Sequence, residues 1–213
     1  TFALAGIPDG LGYTEVNGLK YVWVNHEIGD KDTTDISSTV NGQVNGARVS
    51  LLVFDQDWNA IGGKNLIDTV DVDGKTYSWN LGTGNYEDSQ GNVLKLSDHN
   101  NFSRFCSGYL ASTGFVDKNG NSTPIYFAPE EVDNGYGIAV TPDGTGTPIK
   151  GLGVYAKEQV YAPSQYRAGN PSGKTVLLSS EDTGDGELYM YVGEQTKDDP
   201  NGLKDTTNSL YVL

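Results

Sequence analysis

No stretch long enough for a helix carries a 3.6-residue apolar period in this chain. The apolar runs are short, rich in β-branched and aromatic residues, and stop at Gly, Asn or Asp. "LKYVWVNHEI", "ARVSLLVFDQDWNAIG", "TPIYFAPEE", "YGIAVTPDG", "KTVLLSSED" and "GELYMYVG" all read as strands. "GKNLIDTVDVDGKTYSWNL" adds an Asp-Gly hairpin signal. With 28 glycines and 13 tyrosines among 213 residues, the chain predicts an all-β fold with many turns and little helix.

The strands suggest repetition. "YVWVNHE", "PIYFAPEE" and "TVLLSSED" are apolar strands that end in acid, near residues 21–27, 125–131 and 176–182. Each is followed by a second strand that reads as a hairpin partner. Units of four short strands are propeller blades, and about three fit here, near 1–80, 104–155 and 156–213. Residues 30–47 and 80–103 read as loop-like insertions. A β-sandwich is the alternative use of the same strands. Three blades leave open edges that invite pairing with another chain, and "NSLYVL" at the end reads as a strand cut off mid-blade.

Charge narrows the partners. The formal net charge is −14, which disfavours nucleic acid because phosphates would repel it. Carboxylates in excess suit calcium, whose ligands are hard oxygens, and they also simply keep a protein soluble. No run reaches the ~18 apolar residues of a membrane span. The chain opens at Thr1 without a basic signal sequence, which fits a processed, exported protein. Asn101 and Asn121 lie in glycosylation sequons.

The strand-end acids are Glu27, Glu130, Glu131, Glu181 and Asp182. Each alone reads as a solvated turn residue. In a propeller, equivalent strand ends converge on one axis, and converging carboxylates repel unless a cation neutralises them. Cys106 in "RFCSGYL" is the chain's one cysteine. Alone it reads as a small buried hydrophobe; beside acids it suits a transition metal. His26 is a ligand or hydrogen-bonding candidate, and His99 has no assigned role. "DKNGNS" (Asp117, Asn119, Asn121) starts like a calcium loop, but Ser122 and Ala128 stand at its sixth and twelfth positions, so it reads as a hairpin turn. "EDTGDGE" (Glu181, Asp182, Asp185, Glu187) is the denser calcium candidate. No P-loop, GxSxG or HExxH occurs.

Taken in order, "IPDGLG", "YVWVNHEIG", "GARVSLLV", "RFCSGYL", "IYFAPEE" and "LLSSEDTGDGELYMYVG" resemble the PhoX-type bacterial alkaline phosphatases and their uncharacterised relatives. The resemblance implies an exported six-bladed propeller that hydrolyses phosphate monoesters with calcium and iron on its axis. It implies Cys106 as an iron ligand, at least one of Glu130 and Glu131 as a metal ligand, Glu158 of "LGVYAKE" as another, and Glu181 with Asp182 as a further acidic pair. The chain departs from the family where an arginine should hold substrate phosphate, two residues before Glu158: Ala156 stands there. Arg104 or Lys157 would have to substitute. The chain also covers about half of the family's length. Residues 1–213 therefore read as one propeller-like domain, incomplete relative to the family.

Two functions follow. The first is a secreted metal-dependent phosphoesterase, or part of one. The second is a non-catalytic extracellular module, calcium-stabilised, that binds or assembles through its open blade edges.

Overall fold

The structure is a computed structural model that describes residues 4, 6–29, 33–35, 43–96, 98–207 and 209–213, with 33–35 and 43–45 described as backbone alone. Part of the 30–47 insertion thus lies outside the described residues.

β1 (Pro8–Val16) and β2 (Leu19–His26) form a hairpin. A ribbon of β3 (Thr33–Asp35) and β4 (Gln43–Asn45) leaves the sheet. β5 (Arg48–Phe54) and β6 (Ala60–Asn65) then complete a four-stranded antiparallel sheet in the order β1-β2-β5-β6. β7 (Thr69–Val72), β8 (Lys75–Asn80) and β9 (Asn85–Glu87) follow, then a short ribbon of β10 (Lys95–Leu96) and β11 (His99–Asn100). β12 (Tyr109–Val116), β13 (Ser122–Pro129), β14 (Gly137–Val140) and β15 (Thr145–Pro148) form a second four-stranded meander. β7 joins its β15 edge in parallel, which extends that sheet to seven strands. β16 (Lys157–Tyr161), β17 (Lys174–Glu181), β18 (Leu188–Glu194) and β19 (Leu210–Val212) form the third meander.

The all-β reading therefore holds. The helical content of the described residues is two 3₁₀ turns, Lys150–Leu152 and Ser164–Tyr166. No helix among the described residues is long and apolar enough to cross a membrane. The first four-stranded unit ends at Asn65 rather than near 80, because β7 pairs with β15 of the second sheet. The final strand is paired too: Tyr189, Met190 and Tyr191 face Val212, Tyr211 and Leu210 as the fourth strand of the third sheet.

Three hairpin turns repeat one sequence, Asp-x-x-x-Asn. The Asp55 carboxylate accepts the N–H groups of Asp57 and Asn59 and the Asn59 side-chain amide. Asp88 does the same with Gln90 and Asn92, and Asp117 with Asn119 and Asn121. These hydrogen bonds hold the Asp55 and Asp117 carboxyls below the usual range. The fourth turn residue is left-handed each time: Trp58 at φ 64°, Gly91 at 81° and Gly120 at 81°. Trp58 accepts strain that the two glycines avoid. "DKNGNS" is thus a hairpin turn whose carboxylate is already engaged.

The sheets stack face to face. Gly12, Trp23 and Leu51 are cross-strand neighbours on one face of the first sheet. Trp23, Val49 and Leu51 pack there in one core with Tyr126, Ala128, Ile138 and Val140 of the second sheet. The second sheet's other face carries Ala111, Ile125, Phe127 and Ala139 into another core with Val160, Leu177 and Tyr191 of the third. The middle sheet is covered on both sides, which is why "PIYFAP" reads as a continuous apolar run rather than an alternating one.

Candidate metal centre

Cys106 sits where the first and second sheets meet. Two glycines let the backbones approach: a Cβ on Gly10 would lie 2.2 Å from Gly108 N, and one on Gly108 would lie 2.0 Å from the Tyr126 hydroxyl. Gly10 N–H donates to Cys106 O at 2.9 Å, Asn25 Nδ2 donates to Cys106 O and Ser107 O at 3.1 and 2.7 Å, and the Tyr126 hydroxyl donates to Gly10 O at 2.9 Å. "PDG" and "CSG" are therefore two halves of one contact. Arg104, at φ 47°, turns the chain into this loop.

Around the sulfur, side chains gather from all three sheets and their loops. The Cys106 thiol donates to Asp9 Oδ2 at 3.4 Å. Ligand atoms of Asp9, Glu27 and Cys106 all lie within 4.8 Å of one another, and so do those of Cys106, Glu131 and Glu158. Arg104 Nη2 donates to Glu27 at 2.6 Å and to Glu131 at 3.1 Å. Asp182, whose N–H donates to Ala156 O at 2.9 Å, brings its carboxylate beside Glu131. The Ser107 hydroxyl donates to Glu158 O and, at 3.2 Å, to Gln159 Oε1, tying the loop to β16.

The electrostatics of this group are unbalanced. Burial first, and then the Asp182 carboxylate, push the Glu131 carboxyl up to about 7, against the pull of Cys106 and Arg104. Burial and the carboxylates of Glu131 and Asp9 push the Cys106 thiol far above its ordinary value. One guanidinium offsets several acids. A thiol among carboxylate oxygens is a donor set that fits a divalent cation, since the cation would relieve both shifts.

The remaining candidates lie elsewhere. Glu130 is fully buried, and its two oxygens accept Ser103 N–H at 2.8 Å and Tyr136 N–H at 2.9 Å. His99 Nε2 lies 3.7 Å from it. Glu181 accepts Glu187 N–H at 3.4 Å and the Tyr189 hydroxyl at 3.3 Å. Asp185 and Glu187 join neither ligand set. His26 is buried in the first sheet, 2.8 Å from Ser50 Oγ. Asn101 is buried as well, its amide engaged with Tyr86 and Asn85, so the folded chain offers no access for a glycan there.

No family model matches the chain, and no curated protein or solved structure matches it. The site thus rests on its own geometry.

Two residues change standing. Asp9 was not among the sequence candidates; the signal was the "IPDG" motif itself, without a reason to single out its acid. Lys157 cannot serve as a phosphate clamp. Its ammonium is buried, donates to Gly135 O, Gly153 O and Tyr155 O at 2.8, 2.9 and 3.4 Å, and lies 3.6 Å from the Tyr155 ring centroid. Burial pulls its pKa down to about 7, with Glu130 and Glu181 opposing. Arg104 is the cation beside the cluster, and its side chain is half-exposed.

Proposed function

We propose that this chain is a metal-binding, propeller-type domain of the PhoX-like lineage. The three four-stranded meanders are its blades, and its ion site centres on Cys106. The observation that carries the reading is the pair of ligand sets that share the Cys106 sulfur, Asp9 with Glu27 and Glu131 with Glu158. Carboxylate oxygens suit calcium and the sulfur suits iron. When bound, such ions polarise a phosphoryl oxygen and activate a nucleophile. Arg104, held by Glu27 and Glu131, is the group positioned to meet a phosphate ester at the half-exposed rim. The protein acts in an exported setting.

A second reading keeps the metal and drops the turnover. It is favoured by Ala156 at the position of the family's arginine and by the inward-turned Lys157. One experiment separates the two. Elemental analysis of purified wild type and Cys106→Ser, paired with p-nitrophenyl phosphate hydrolysis, reads metal and activity in the same samples. Iron and calcium in the wild type, iron lost in Cys106→Ser, and turnover that Arg104→Ala abolishes support the enzyme. Metal without turnover supports the second reading. Equal metal content in wild type and Cys106→Ser overturns both.

A further inference from the structure

Arg104 joins the two ligand sets of the Cys106 site. Its Nε and Nη2 donate to Glu27 Oε1 at 3.2 and 2.6 Å, and Nη2 also donates to Glu131 Oε2 at 3.1 Å. Glu27 belongs to the set with Asp9, Glu131 to the set with Glu158, and the Cys106 sulfur is common to both. One guanidinium therefore holds one carboxylate of each set. A divalent cation in either set would draw on the same carboxylates and would repel a guanidinium a few ångströms away. The two positive charges are rivals for one group of acids.

Burial decides which of the partners gives way. Arg104 N–H donates to Ile28 O at 2.9 Å, and Glu131 N–H donates to Arg104 O at 2.9 Å. The Arg104 backbone is thus pinned on both sides, in the left-handed conformation already noted. Only its side chain is free to move. That side chain is 45% exposed, whereas Glu27 and Glu131 are 20% and 11% exposed. The arginine has water to swing into, and the acids do not.

We propose that Arg104 is the internal counter-ion of this site and is exchanged on ion binding: it releases Glu27 and Glu131 as a divalent cation is taken up, and the freed guanidinium then pairs with a phosphoryl oxyanion. The exchange rests on the ion site proposed above and adds an order of events to it, cation first and oxyanion second. While Glu27 and Glu131 hold Nε and Nη2, the fork that would grip two oxygens of a phosphoryl group is engaged, and an incoming anion meets acids. Once released, the same fork is open beside a neutralised cluster. The coupling is reciprocal, so an oxyanion on Arg104 also tightens the hold on the cation. The other two arginines of the chain are placed differently. Arg48 is buried, and Arg167 is buried with its donors on Ala162 O, Thr113 O and the Tyr109 hydroxyl.

Calorimetric titration of calcium alone and of iron(II) alone into chelator-treated wild type, Arg104→Gln and Arg104→Ala tests the rivalry. Both variants should bind either ion at least about tenfold more tightly than wild type, a gain of about 1.4 kcal/mol. Nitrogen NMR then follows the guanidinium itself. With three arginines in the chain, the Nε–H signals are few, Arg104→Gln identifies the one that matters, and Arg48 and Arg167 serve as buried references. Calcium should move the Arg104 signal and leave the references in place, and inorganic phosphate should move it further only after calcium. Phenylphosphonate that shifts it at lower concentration than phosphate marks an ester as the natural source of the oxyanion; the reverse order marks free phosphate. Variants that bind both ions no more tightly than wild type overturn the exchange, as does an Arg104 signal that saturating calcium leaves unmoved, or one that phosphate shifts equally without calcium. In each of those cases the ion still binds and the Cys106 site stands. Wild type that binds neither ion overturns the site and the exchange together.

Discussion

Glu130 and Glu131 are adjacent in the chain and serve opposite environments. Glu130 is fully buried and accepts two backbone N–H groups, from Ser103 and Tyr136. Glu131 turns to the Cys106 cluster, accepts Arg104 at 3.1 Å and is pushed up to about 7. Alternation along an extended backbone separates them. One holds the loop before Cys106 against the turn after β13, and the other faces the candidate ion site.

The two glutamates should therefore respond differently to the same substitution. Glu130→Gln puts an NH₂ group against a backbone donor in the core and costs about 2–3 kcal/mol. Glu131→Gln leaves the stability of the metal-free protein unchanged or raises it, and it lowers metal affinity. Denaturant unfolding with chelator, followed by a metal titration, checks both.

The metal-free protein should be least stable near pH 7 within the range set by two groups. Glu131 is raised from 4.5 to about 7, so the folded state holds a proton that the unfolded chain has lost, and stability falls as pH rises across that window. Lys157 is lowered from 10.5 to about 7, so above pH 7 the unfolded chain holds the extra proton, and stability rises with pH. Above about 9 the raised Cys106 thiol works the other way, so the rise is clearest between 7 and 9. Unfolding free energies across pH should show the minimum. Glu131→Gln flattens its acid arm and Lys157→Met its alkaline arm.

The Cys106 thiol should react slowly in the absence of metal. Burial first, and then the carboxylates of Glu131 and Asp9, disfavour the thiolate, which is the nucleophile. Labelling with a chromogenic disulfide at mildly alkaline pH should run at least about tenfold below free cysteine. Asp9→Asn should accelerate it. A rate in Asp9→Asn equal to wild type would remove Asp9 from the site.

Trp58 holds a left-handed backbone where the equivalent turns use Gly91 and Gly120. It stacks on Tyr13 at 5.8 Å and tilts against Phe54 at 5.7 Å. Trp58→Ala loses the aromatic contacts and keeps the strain; Trp58→Gly loses the contacts and relieves it. The glycine variant should be more stable than the alanine variant by about 1 kcal/mol in thermal unfolding.

Gly10→Ala should cost more than about 2 kcal/mol, because its Cβ meets the backbone of Ser107 and Gly108 rather than a flexible side chain. The same change at Gly74, which has open space around it, tests the left-handed backbone alone and should cost about 1 kcal/mol.

Much of this molecule is local chemistry and was legible in the residues. Strand runs, Asp-Gly and Asp-x-x-x-Asn turns and the lack of a helical period depend on neighbours a few positions away. Cys106, Glu27, Glu131 and Glu158 were also named from the chain, and the fold brings their ligand atoms together. Other points depended on how distant segments meet. The parity of a strand does not say which of Glu130 and Glu131 faces the core until the second sheet is packed. Asp9 reaches Cys106, 97 positions away, only because Gly10 and Gly108 let two backbones touch. Lys157 reads as a free cation until burial and three carbonyls claim its ammonium. Short-range hydrogen bonding and periodicity belong to the sequence; burial, desolvation and the company of charges are set by tertiary packing.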